Sequence, residues 1–178
     1  MTLSIRDTAY QLRQGHLIAL ADETGWSIAA DPTNDSAIDT LLPVLQKGSY
    51  PTIIIQNTDQ LGLYVAQMPD VAFDLVEFAD KPLTVIYDQG KNVSTRLWPA
   101  NEGSQLGAIA VRRSLSEEVQ RLIGGFGRGL LTIPFESLSL PPLPEGLIAG
   151  HYGTLPPKME RPRIMVLNVD GGVRFIRK

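Results

Sequence analysis

Short runs rich in β-branched residues recur along this chain with helix-patterned segments or tight turns between them, and that alternation restricts it to mixed α/β architectures. Thr52-Ile53-Ile54-Ile55, Leu83-Thr84-Val85-Ile86-Tyr87, Ala108 to Arg112, Leu130-Leu131-Thr132-Ile133 and Arg163 to Leu167 all read as buried strands. His16 to Leu20 reads as another, and Gly25 to Ala30 as a further strand or a buried loop. Residues 4–14 place Ile5, Ala9 and Leu12 at helical spacing before Gly15 stops the run. Asn34 caps a helix predicted to run toward Gln46, with Pro43 forcing a bend or an early end. Pro69 opens a helix closing near Asp80. Ser114-Leu115-Ser116-Glu117 has the spacing of a capping box for a helix reaching about Ile123 and ending at Gly124-Gly125.

Strands separated by helices favour parallel neighbours, and Asp170-Gly171-Gly172 predicts an antiparallel hairpin that closes with Val173 to Ile176. The fold class is therefore α/β (mixed α+β): one domain over residues 1–178, with a twisted mixed sheet and flanking helices. Leu140 to Pro144 and the surroundings of Pro156-Pro157 read as connections.

The chemistry open to this chain is narrowed by what it lacks. With no cysteine among 178 residues there are no disulfides, thiolate zinc sites, iron–sulfur clusters or cysteine nucleophiles. His16 and His151 are the only histidines, too few for a multi-histidine metal centre, so no metal site is expected. Arg6, Asp7, Arg13 and His16 break up the first twenty residues, and no apolar stretch approaches a membrane span; the expected location is cytoplasmic, with no membrane partner.

Net charge is −3, but it is segregated: residues 1–80 carry 3 cations and 11 anions, residues 81–178 carry 13 and 8. Such asymmetry creates one basic face if the halves do not interleave. Gly124 to Gly129 has the glycines of a phosphate loop, yet a helix precedes it and a strand follows, the reverse of a phosphate cradle, so helix termination and a turn explain it. No Gly-Lys-Ser/Thr occurs, and neither histidine has a nucleophile elbow to serve. The sequon Asn92-Val93-Ser94 carries no meaning without a secretory signal.

Several residues have two readings. Lys47, the lone cation between Arg13 and Lys81, either offsets a helix C-terminus or binds phosphate. Trp26 is either a core aromatic or a stacking platform for a base. Arg112 and Arg113 end a strand, so alternation sends one toward a concave sheet face and the other away.

In order along the chain, these segments resemble the YrdC-like family, whose best-known members are threonylcarbamoyl-adenylate synthases. The family motif Pro-Thr-Asp/Glu-Thr-x-Tyr-Gly-Leu, with a following aspartate, falls on Ala21-Asp22-Glu23-Thr24-Gly25-Trp26-Ser27-Ile28 and Asp31. Lys-x-Arg and a proline-led strand fall on Lys47-Gly48-Ser49 and Pro51-Thr52-Ile53. Asp80 to Thr84 resembles the Pro-Gly-Pro-Leu-Thr strand start, and Ile109 to Ser114 the Val-x-Val-Arg-x-Pro strand. Ser-Ala-Asn-x-Ser-Gly falls on Pro134 to Ser139, and Arg163 to Lys178 is similar to the closing strands.

The resemblance implies a large concave cavity and an enzyme that joins L-threonine, bicarbonate and ATP, with magnesium, into an adenylate used in tRNA modification. It places Thr24, Trp26, Lys47, Thr84, Arg112, Glu136 and Ser137 at the substrate or nucleotide site, without assigning catalytic residues. Thr24, Lys47, Thr84, Arg112 and Ser137 keep the family's residue type. Asp22, Trp26, Ser27, Ser49, Pro134 and Glu136 depart from it, and Asp22 and Glu136 put carboxylates where phosphate should be attracted. The substitutions favour a divergent domain that binds a nucleotide or double-stranded RNA over an intact synthase, which stands as the alternative, with ATP and magnesium as its requirements. A third possibility is a paralogue acting through protein contacts alone.

Overall fold

The structure is a computed structural model that describes residues 2–98 and 107–178. Ser4 opens α1 (Ile5–Arg13) by accepting a hydrogen bond from the Asp7 N–H, and Gly15, at φ +85°, turns the chain into β1 (Leu17–Asp22). Glu23 and Thr24 form a two-residue turn into β2 (Gly25–Ala30), with Asp22 opposite Gly25, so this segment is a strand. Asn34 caps α2 (Asp35–Leu41), which ends well before Gln46; Pro43, lacking an N–H, sits in the 3₁₀ turn Leu42–Val44 that follows. β3 is Thr52–Ile55.

A 3₁₀ turn (Thr58–Gln60) and the single-turn α3 (Leu61–Tyr64) come next, too short to leave a helical period in the sequence. α4 (Val71–Glu77) begins two residues after Pro69, whose carbonyl accepts from the Ala72 N–H. β4 is Leu83–Tyr87 and β5 is Ile109–Arg113. Ser116, rather than Ser114, caps α5 (Glu117–Phe126), accepting from the Val119 N–H. Gly124 and Gly125 lie inside α5, not beyond it. A Cβ on them would stand 2.9 Å from the Gln56 amide and 2.7 Å from an Ile5 methyl, so their bareness lets α5 pack tightly. Gly127, at φ +94°, closes the helix in the left-handed conformation.

β6 (Leu130–Pro134), β7 (Ile148–Tyr152), β8 (Arg163–Leu167) and β9 (Val173–Arg177) complete the chain. His151 is on β7, a strand the sequence pattern does not announce because Ala149 and Gly150 interrupt the β-branched and aromatic signal.

The nine strands form one mixed sheet in the order β7-β1-β2-β6-β3-β5-β4-β8-β9. β1–β7, β3–β5 and β4–β8 are parallel, and the remaining pairs are antiparallel. One face packs against α2 and α4 through Ile28, Ile53, Ile55, Val85, Val111 and Leu131. The other packs against α1 and α5 through Ile18, Leu20, Ile54 and Leu130; Leu122 and Ile123 of α5 are fully buried there, each contributing about 2 kcal/mol. That second apolar layer stops at Ile54. Beyond it, on β6, β3, β5 and β4, the same face carries polar side chains.

Candidate functional site

Period-two alternation brings Thr132, Thr52, Arg112 and Thr84 onto that face from four neighbouring strands. Thr52 stands opposite Thr132, and Arg112 lies between Ile54 and Thr84 in register. The Thr132 hydroxyl donates to the Thr52 carbonyl at 2.8 Å, and the Thr52 hydroxyl to the Tyr50 carbonyl at 2.8 Å. These residues floor a hollow whose rim is made by Ser49, Pro134, Glu136 and Arg177.

Arg112 is 3% exposed and is held by two carboxylates. Its Nη2 donates to Asp22 Oδ2 at 2.8 Å and its Nη1 to Glu23 Oε1 at 2.7 Å. Burial works against its charge, and the two carboxylates more than offset this, holding the guanidinium above its ordinary range. Asp22 Oδ1 accepts from both the backbone N–H (2.8 Å) and the hydroxyl (2.7 Å) of Thr24. Glu23 Oε1 also accepts from the Leu115 N–H at 3.0 Å, while Oε2 is buried without a partner. Burial pushes the Glu23 carboxyl above the usual carboxylate range, against the pull of Arg112 and with the help of Asp22. Arg113, one residue on, turns to the opposite face and donates to the carbonyls of Val76, Glu77 and Ala79 at the end of α4, as alternation requires.

At the rim, Glu136 Oε2 lies 3.0 Å from Arg161 Nε and 2.7 Å from Arg177 Nη2. Arg112 and Arg177, which line the hollow, and Arg161 beside it thus face carboxylates of the same chain. The enclosed volume is about 20 Å³, room for roughly one water, whereas ligand pockets run to about 300–1,000 Å³. Among the described residues this hollow is much smaller than the large cavity that the resemblance implies.

Of the seven residues singled out from the sequence, Thr84, Arg112 and Glu136 line the hollow. Lys47 is exposed in the turn that leads to the lining residues Gly48 and Ser49. α2 ends at Leu41, six residues before Lys47, so Lys47 offsets no helix end. Thr24 is wholly buried behind Arg112, its hydroxyl committed to Asp22. Ser137 lies beside the rim; its carbonyl accepts from the Trp26 N–H and its hydroxyl from the Ser139 N–H. Trp26 is separated from this set: it alternates with Ser27 onto the other face, packs on the main core and meets the His151 ring at 5.5 Å and 55°. Sequence reasoning missed Thr52, Thr132, Glu23, Arg161 and Arg177. A threonine within an otherwise apolar strand was the available signal for the first two.

The carboxylates also bear on magnesium. Asp22 and Glu23 are both turned onto Arg112, and among the described residues no three acidic or histidine side chains converge as a cation site. The donor set does not fit a resident metal ion.

The mixed sheet with helices on both faces makes this an α/β domain, and similarity to known proteins gives its family. The family model for Sua5, YciO and YrdC, described as telomere recombination, matches residues 10–141, and the chain belongs to that family. A threonylcarbamoyl-AMP synthase from Blochmanniella pennsylvanica (strain BPEN) is 28% identical over 137 residues, covering 72% of this chain and 66% of that protein. E. coli YciO superposes with a TM-score of 0.76 at 19% identity, covering 98% of this chain and 88% of that one. Sua5 from P. abyssi, solved with L-threonine, superposes at 0.73 with 22% identity, over 92% of this chain but only half of its own. This chain therefore spans just under two thirds of the curated synthase and half of Sua5. No helix among the described residues is long and apolar enough to cross a membrane.

Proposed function

We propose that residues 1–178 act as a single YrdC-like binding unit that holds the phosphate backbone of double-stranded RNA across the rim of its hollow, in place of adenylate synthesis inside it. The observation that carries this reading is Arg112, the cation on the floor, already held by Asp22 and Glu23 in a space of about 20 Å³. A triphosphate would have to strip Arg112 from both carboxylates and then lie against them. The accessible cations are elsewhere: Lys47 beside the rim, Arg161 on Glu136 with 61% of its side chain exposed, and exposed Arg174 on the hollow side of β9. Arg161 and Arg174 belong to the basic half of the chain, residues 81–178, and spaced surface cations suit a repeating phosphate chain.

The test is titration of a short RNA duplex at several salt concentrations, beside an assay of pyrophosphate release from ATP with L-threonine, bicarbonate and magnesium. Binding that weakens steeply with salt, without turnover, supports the proposal. Turnover dependent on threonine and bicarbonate instead supports the alternative, a synthase of tRNA modification, which the name of the curated relative favours. A duplex that fails to bind at low salt overturns the RNA reading.

A further inference from the structure

We propose that the groove between α4 and the open edge of β9 receives an extended peptide segment of a partner protein, apolar and basic, which adds to the sheet as a further strand. β9 is the last strand in the sheet order. At the opposite margin β7 is partly covered, since the Leu3 N–H donates to the His151 carbonyl and Thr2 bridges to the same residue. No described segment covers β9 in that way. The hydrogen bond from the Asn168 N–H to the Gly172 carbonyl marks a bonded pair, so alternation turns the N–H and C=O groups of Val173 and Phe175 outward. Those are the groups that an added strand engages. The register shift between Ile164 and Met165 ends the regular part of this edge at Phe175.

The side chains beside the edge are apolar and uncovered. Val71, Asp74, Leu75 and Phe78 follow one another at helical spacing along α4 and its C-cap, and with Met165 and Phe175 they line a groove of about 310 Å³. Phe78 is 78% exposed and Phe175 41%; Val173, which shares the face of Phe175, is 52% exposed. At about 200 Å² per aromatic side chain, the two phenylalanines alone leave roughly 240 Å² open. With Val71 and Val173 beside them, they make an apolar patch of the kind that marks a contact surface. It is well short of the ~800 Å² that each partner of a stable dimer buries, whereas one extended segment covers it.

Charge decides what that segment carries. Asp74 and Asp80 line the groove against the single cation Arg163, exposed Asp70 and Glu77 flank them, and residues 48–80 contain no cation at all. A strand with Lys, Phe and Lys at alternate positions sets its ring beside Phe78 and Phe175 and its ammonium groups toward the carboxylates. The groove lies on the sheet face opposite the hollow and shares no residue with the RNA reading.

Fluorescence anisotropy with the heptapeptide Thr-Lys-Thr-Phe-Thr-Lys-Thr, labelled at its N-terminus and amidated, tests the proposal. Saturable binding at least tenfold tighter than that of Thr-Glu-Thr-Phe-Thr-Glu-Thr is the expected result. N-methylation of the peptide's phenylalanine, which removes a main-chain donor facing β9, is expected to weaken binding at least tenfold. Phe78→Ser and Asp74→Lys, both at exposed positions where folding is unaffected, should each weaken it at least fivefold. The proposal is overturned if neither peptide binds, if the two bind alike, if N-methylation changes nothing, or if both variants bind as the wild type does. Sedimentation of the protein alone is expected to show a monomer; a dimer abolished by Phe78→Ser would give the groove to a second copy and overturn the peptide reading.

Discussion

Arg112 on β5 reaches Asp22 at the end of β1 with 2.8 Å between Nη2 and Oδ2, although β2, β6 and β3 lie between the two strands. Across a flat sheet those strands would stand about 19 Å apart, beyond the combined span of the two side chains. The sheet is therefore curled, and the ion pair sits inside the curl. Both side chains are almost wholly shielded, at 3% and 1% exposure.

Removing one member of this pair leaves the other buried and unmatched. Asp22→Ala is expected to lower stability by about 3 kcal/mol in urea denaturation. Replacing both residues with apolar ones, Asp22→Leu with Arg112→Met, is expected to cost less than Asp22→Ala alone. A double variant less stable than that single one contradicts the assignment of a buried, mutually dependent pair.

Glu23 governs a pH dependence. Its folded-state pKa is raised, chiefly by burial, above the ordinary value of 4.5, so the folded protein holds this proton more tightly than the unfolded chain does. The contribution is complete below pH 4.5 and is lost as pH rises from there through the folded value. Wild type minus Glu23→Gln stability is expected to fall with rising pH across that window. A difference that stays constant with pH, measured by denaturation at each value, refutes the assignment.

Gly25 is the second residue-level constraint on the site. At φ +97° it starts β2, and a Cβ there would collide with the backbone carbonyl of Ser137, the same carbonyl that accepts from the Trp26 N–H. Gly25→Ala is expected to cost ~2 kcal/mol or more. Gly127→Ala, at φ +94° but with open space around it, should cost about 1 kcal/mol. Thermal or urea unfolding of both ranks them, and the reverse order would show that the Ser137 segment yields easily.

Lys47→Ala and Arg174→Ala each remove one exposed cation. Under the RNA proposal, each is expected to weaken duplex binding uniformly across sequences and to lower the slope of log affinity against log salt by about 1. Unchanged slopes in both variants would place the contact surface elsewhere.

Most of the strands were legible because β-branched runs such as Thr52 to Ile55 announce themselves without tertiary help. β7 was not, since Ile148-Ala149-Gly150-His151-Tyr152 draws its place from pairing with β1, not from propensity. α5 runs past Gly124 and Gly125 because a close approach to Ile5 and Gln56 rewards the missing side chains, a tertiary reason invisible to local rules. At the site, alternation correctly divided Arg112 from Arg113. The same rule, applied to Trp26 and Ser27, separates Trp26 from the hollow, although the motif alignment had grouped it there. The partners of Glu136 were beyond reach: Arg161 and Arg177 come 25 and 41 positions later, and no spacing rule links them.

The guanidinium of Arg112 works as a strap across the bend of the sheet, and this sets a toll on any ligand that captures it. Ligands that bind only the native form raise its melting temperature according to their net affinity. One that recruited Arg112 would do so while unfastening the strap, so the lost restraint is subtracted from its contacts and weakens its affinity. A ligand held only at the rim leaves the strap fastened and is spared that toll.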